Sequence, residues 1–317
     1  MKSTLTNASK NPKLLDRLVL ITLAALIVVV VGFGAYYYWD RYVHLGDESP
    51  VEKGAAHLEE MVRENPEDPD ARVALAQYYL QSGAYEESIE QTNQVLAAMP
   101  EHQGGLFLLG MAYTYSGLPA EATEPLSQFV EMREGGEFAG ADTDLQAALY
   151  FLGDSYMKLN QPEEAIKKLT QALALNATDA DAMYLLGRAY TTTGQHQQAV
   201  DQYLNAIRFV PNFAEAYQGM IESYEAQGQT SHVAYARGMD AFTQQDYQTA
   251  RAHLESAVDD LPDFAPAYVG LGLTLEQLGQ LNEAQTILEK ALALEPGDYM
   301  ANHALGRVQA ASTNVEG

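Results

Sequence analysis

The chain has 317 residues, 47% of them apolar, with 18 basic residues against 43 acidic ones and no cysteine. The missing cysteines exclude disulfides, thiol nucleophiles and thiolate metal sites. A net charge of −25 weighs against nucleic acid, whose binding rests on neutralising phosphate, and against adhesion to anionic lipid.

Residues 1–17 are polar and carry Lys2, Lys10, Lys13 and Arg17 against a single acid, Asp16. Leu18–Tyr38 is then 21 residues without a charge. At roughly 1.5 Å of rise per residue the run is about 31 Å long as a helix, enough to cross a bilayer core. Tyr36, Tyr37, Tyr38 and Trp39 follow as an interfacial aromatic belt. The expectation is a transmembrane helix over 18–39, with the N-terminus cytoplasmic and everything after it periplasmic or otherwise extracytoplasmic, because basic flanks stay inside. A cleaved signal peptide ending near Gly32-Phe33-Gly34 is the competing reading. Residues 40–47 form a short linker. Beyond Tyr38, 14 basic residues face 42 acidic ones. Plain solubility and the steering of basic partners both account for that excess.

The remaining chain is periodic. Ala180–Pro211 holds two helix-period patterns separated by Gly194, with Met183, Leu186, Gly187 and Tyr190 on one face and Ala199, Tyr203, Ala206 and Ile207 on the other. Pro211 ends the unit because proline cannot continue a helix. The small residue of the first helix recurs as Ala76, Gly110, Gly153, Gly187, Gly238, Gly272 and Gly306, in steps of 34, 43, 34, 51, 34 and 34. That of the second helix recurs as Ser88, Ala122, Ala165, Ala199, Ala250 and Ala284, with the same irregularities. Tyr79, Tyr113, Tyr156, Tyr190 and Tyr224 keep the period, as do the terminators Pro66 and Pro100, then Pro211, Pro262 and Pro296. A 34-residue helix–turn–helix period of this kind resembles the tetratricopeptide (TPR) repeat over roughly 48–311. The resemblance implies an all-α solenoid of helical hairpins, wound as a right-handed superhelix and preceded by the membrane helix.

The first block spans 48–230 and begins with a half repeat, a second-type helix marked by Leu58 and Met61. Glu134–Asp144, rich in glycine and acid, is an insertion loop and a second place to look for function. The repeat beginning at Ala214 loses register, since Val233 stands where a small alanine is expected and Arg237 where a large apolar residue is. One unpaired helix or one helix serving two repeats would explain it, with a change of superhelical direction there. The second block, 231–311, closes on a capping helix from Tyr299 to Ala311. Residues 312–317 are expected to fray.

Catalytic chemistry is hard to place. No two of the seven histidines stand at metal-ligand spacing with a carboxylate, and no nucleophile elbow, zinc-protease or phosphate-loop pattern occurs. The expectation is no enzyme, no cofactor and no metal. What remains is a surface. In TPR proteins the first helices line the concave face. Carried over, the resemblance implies a groove lined by Phe107, Met111, Tyr150, Asp154, Met157, Tyr184, Arg188, Gln218, Glu222, Tyr235, Met239 and Phe242. The Lys/Asn clamp by which chaperone-binding members hold a terminal carboxylate is missing, because its positions hold Phe107, Met111, Tyr150 and Asp154. Aromatic and Met side chains suit protein recognition. The chain thus looks like a membrane-anchored scaffold or assembly factor that grips one or more partner proteins or peptides, similar to bacterial TPR proteins assisting cytochrome maturation, envelope assembly or pilus assembly. A permanent structural subunit of a membrane complex is the alternative.

Overall fold

The computed structural model describes residues 50–136 and 139–315. The cytoplasmic segment 1–17, the membrane helix 18–39 and the linker 40–47 lie outside the described residues. Among those that are described, no helix is long and apolar enough to cross a membrane. Fifteen α-helices and one 3-10 turn make up the described chain, with no strand among these residues. Backbone contacts divide the chain into two units, residues 1–71 and 72–317. In the first, the half-repeat helix is present as α1 (Pro50–Glu64), followed by the opening residues of α2 (Pro69–Ser82).

The second unit continues α2 and adds α3 (Tyr85–Ala98), α4 (Gln103–Tyr115), α5 (Pro119–Arg133), α6 (Thr143–Lys158), α7 (Pro162–Leu175), α8 (Ala180–Thr192) and α9 (His196–Phe209). After these come α10 (Ala214–Ala226), α11 (Thr230–Thr243), α12 (Tyr247–Asp260), α13 (Ala265–Gln277), α14 (Leu281–Leu294) and α15 (Tyr299–Val315). From α3 onward each helix packs on the next. The first helices of successive hairpins also touch, as α4 on α6, α6 on α8 and α8 on α10. This is an all-α solenoid of stacked hairpins. Local chemistry sets the helix starts. Pro119 and Pro162 open α5 and α7, where a missing N–H costs nothing. Asp142, Asp179 and Asp246 cap α6, α8 and α12 by accepting bonds from first-turn amides.

The periodic small residues are the seams between paired helices. A Cβ at Gly153, Gly187, Gly238 or Gly272 would fall 2.5–2.6 Å from Leu169, Tyr203, Leu254 or Leu288 on the following helix. Each partner lies 16 residues on, so the pairing geometry repeats with the sequence period. The second-helix residues Ser88, Ala122, Ala165, Ala199, Ala250 and Ala284 are all fully buried. Ser88 is tolerated in an alanine position because its hydroxyl donates to the Ala76 carbonyl oxygen at 2.9 Å. At Gly306, on the last helix among the described residues, a Cβ would meet nothing within 4 Å.

Register is lost at α11, and the turns explain how. The tight turn inside each hairpin has one residue at positive φ: Gly83, Gly117, Asn160, Gly194, Gly228, Gln245 and Gly279. The series advances by one period throughout except for the insertion and the half step from Gly228 to Gln245. A within-hairpin turn therefore stands on both sides of α11. That helix pairs back onto α10 and forward onto α12, and packs on α13 as well. It serves two repeats at once, burying Val233, Tyr235, Ala236, Gly238 and Met239. Arg237 stays exposed and pairs with Glu225 at 2.6 Å. The core does not divide at 230/231, since a single buried cluster runs from Ala199 to Val308.

The insertion is anchored. Its described parts are a turn after α5 and a 3-10 turn, Ala139–Ala141. Arg133 Nε donates to Asp142 Oδ2 at 2.6 Å, and Arg133 Nη1 donates to Gln103 Oε1 at 3.1 Å. The bond from Arg133 holds the Asp142 carboxyl below the usual carboxylate range. At the other end, Arg307 grips Glu276 through two bonds of 2.7 and 2.6 Å. This polar staple ties α15 to α13. The terminal helix continues to Val315, past the expected stop at Ala311, and the Ser312 hydroxyl bonds back to Val308 O.

Candidate protein-binding groove

The first helices α4, α6 and α8 frame an open cleft of about 440 Å³ lined by Tyr115, Gln146, Tyr150, Phe151, Asp154, Lys158, Asp179 and Asp181, among others. Its aromatic wall is continuous. Phe151 meets Tyr115 and Tyr150 edge-on, each at 5.5 Å. Tyr85 stacks on Tyr115 at 5.7 Å. Tyr115 is 49% exposed despite its size. The Tyr150 hydroxyl is pushed up to about 12, first by burial and then by the negative charges of Asp154, Asp181 and Asp179.

The twelve residues carried over from the repeat resemblance meet different surroundings. Tyr150 and Asp154 line this cleft. Met111 and Met157 are half-buried against neighbouring cores. Phe107 is half-buried and stacks on the buried Phe129 at 5.0 Å, so it works chiefly as packing between α4 and α5. Tyr184 leans on Phe213 at 4.9 Å, with Arg188 over its ring at 5.9 Å. Arg188, Gln218 and Glu222 are exposed. Gln218 donates to Asp240 Oδ1 at 3.3 Å, linking α10 to α11. Phe242 lines a second cleft of about 410 Å³ with Tyr247, Tyr299 and His303.

Two residues are nearly enclosed, although Met239 lines the cleft of Phe242 and both line a smaller one of about 210 Å³. Tyr235 and Met239 are each only 3% exposed and belong to the core. They sit on α11, which packs against α10, α12 and α13. The ring of Tyr235 packs edge-on against Phe264 at 5.0 Å. Burial pushes its hydroxyl well above the usual phenol range.

Sequence reasoning missed Tyr115, Phe151, Asp179 and Asp181. Tyr115 is the last residue of α4, past the positions the repeat pattern marks. The two aspartates read as ordinary N-terminal acids of a helix. A hydroxyl network was missed as well. Tyr203 stands where four other hairpins hold leucine (Leu126, Leu169, Leu254 and Leu288), wedged between Gly187 and Gly219. Its Oη lies 3.1 Å from Thr191 Oγ1, which lies 3.1 Å from the buried Ser223 Oγ.

Stacked hairpins with a glycine seam on a 34-residue period define the class as a helical-repeat protein. Models of the tetratricopeptide repeat match residues 51–106, 150–216 and 241–315, together more than half of the chain. The chain belongs to the tetratricopeptide-repeat proteins, and no catalytic family is indicated. No curated protein matches in sequence. Among solved structures it is similar to MamA, at 28% identity over 54% of this chain and 95% of that one, with a TM-score of 0.49. YrrB, described as a TPR protein with an unusual peptide-binding site, is 20% identical over 67% of this chain and 96% of its own, TM-score 0.48. A thermophilic TPR protein from Thermus thermophilus is 23% identical over 55% and 88%, TM-score 0.38.

Proposed function

We propose that the chain is a membrane-anchored, extracytoplasmic repeat scaffold or assembly factor, which holds partner polypeptides against the open face of its first helices. One observation carries the binding half of this reading: Tyr115, Phe151 and Tyr150 form a connected aromatic wall on an open cleft. Partly exposed aromatics grouped in this way are the side chains that supply most of the energy in protein interfaces. The anchoring half rests on the uncharged run Leu18–Tyr38 and its basic flank.

A periplasm-active reporter fused after Gly317 is expected to be active, and external protease is expected to reach the repeats. Activity of a cytoplasm-only reporter at the same place would contradict the topology. For binding, Tyr115→Ala with Arg188→Ala removes two exposed side chains of the face. The double variant is expected to keep its melting temperature and lose co-purifying proteins in affinity purification from native membranes. Retention of every partner would overturn the groove.

A further inference from the structure

The cleft between α4, α6 and α8 has two kinds of wall. One is the aromatic row of Tyr115, Phe151 and Tyr150. The other is acidic, with Asp154 on α6, Asp179 at the cap of α8 and Asp181 in its first turn. Lys158 is the only cation lining the cleft among the described residues, and Asp154 holds it at 2.7 Å. The lining therefore keeps two carboxylates in excess. Asp179 accepts from Ala182 N at 3.0 Å and from Gln146 Nε2 at 2.6 Å. Both donors are neutral, so the bonds orient this carboxylate and leave its charge uncompensated. Asp181 is exposed and takes part in no ion pair among the described residues. The Tyr150 hydroxyl is pushed up by burial first and then by the charges of Asp154, Asp181 and Asp179.

We infer that this cleft receives the lysine or arginine side chain of an extended, basic partner peptide. The inference deepens the scaffold reading and rests on it. A cation over the ring faces is attracted by their quadrupoles, and its charge answers the two uncompensated carboxylates. An acidic segment would meet like charge, and an apolar side chain would desolvate the carboxylates with nothing in return. The excess of 42 acids over 14 bases beyond Tyr38 adds long-range steering of the same sign. The aromatic wall then discriminates a seated cation from counterions drawn to the surface at large.

The test uses the full chain in detergent and a fluorescein-labelled nine-residue peptide of alternating lysine and leucine, with a glutamate–leucine peptide as its counterpart. Fluorescence anisotropy is expected to show saturable binding of the lysine peptide that weakens as salt rises. Asp154→Asn with Asp181→Asn keeps side-chain shape and spares the Asp179 cap. This pair is expected to lower affinity by roughly tenfold or more. Tyr115→Ala is expected to lower it by several-fold, on the order of the ring's cation contact. Glu121→Gln with Glu131→Gln removes the same charge from exposed positions on α5 and is expected to leave affinity within about twofold. An equal loss from the α5 pair would mean diffuse attraction and overturn the inference. So would absence of lysine-peptide binding, or equal binding of the glutamate peptide. The last result, lost on Tyr115→Ala, would refute the cation pocket while leaving the scaffold reading in place.

Discussion

Tyr150 and Tyr235 hold the same place in the repeat, three residues before Gly153 and Gly238, yet one lines an open cleft and the other is 3% exposed. Sequence register fixes which side of a helix a residue occupies. Whether that side is covered depends on how many helices crowd it. α6 stands as the first helix of an ordinary hairpin. α11 lies between within-hairpin turns at Gly228 and Gln245 and pairs in both directions, and Tyr235 on it is buried. A tyrosine that is half-buried on an ordinary first helix is thus almost wholly buried at the phase break, without a change of residue type.

The largest expected effect tests that contrast. Tyr235→Ala leaves a cavity among Phe264 and its neighbours and is expected to cost about 3–5 kcal/mol in chemical denaturation. Tyr115→Ala, on the open cleft, is expected to cost under about 1 kcal/mol. Equal losses would erase the distinction between covered and open faces. Glycine seams give a contrast of intermediate size. Gly187→Ala drives a methyl against the ring of Tyr203, which Gly219 already confines from the far side, and is expected to cost ~1–3 kcal/mol by overpacking. Gly306→Ala meets open space on the terminal helix and is expected to stabilise by ~0.5–1 kcal/mol through helix propensity. A loss at Gly306 would mean that α15 has a neighbour on that face. The smallest effect sharpens the phase break itself. Gln245 holds a φ of 64° in the turn that gives α11 its second pairing. Gln245→Gly is expected to raise stability by about 0.5 kcal/mol, because relief of left-handed strain exceeds the added unfolded-chain entropy. A lower melting temperature would mean that the glutamine side chain stabilises the turn.

Most of the repeat fold was legible in the sequence, because five seams pair a glycine with a large residue 16 positions later. The phase break was legible as an irregularity but open in form. Deciding that α11 serves two repeats required the positive φ at Gln245, and a glutamine does not announce that conformation as glycine does. The groove was legible only in part. Phe107 and Tyr184 stand at groove register, but Phe129 and Phe213 on adjacent elements occupy their ring faces. Tyr115 gave no signal because it closes its helix, where the repeat pattern places no groove position. The excess charge of the cleft was hidden in residues that a linear reading assigns to capping.

Photocrosslinking tests the central claim, that partners lie along the open first-helix face, most directly. With p-benzoylphenylalanine in place of Tyr115 in native membranes, irradiation is expected to give discrete higher-mass adducts containing a partner protein. The same group in place of Glu121, on the exposed surface of α5, is expected to give none. Adducts from the α5 position with none from the Tyr115 position would contradict the claim.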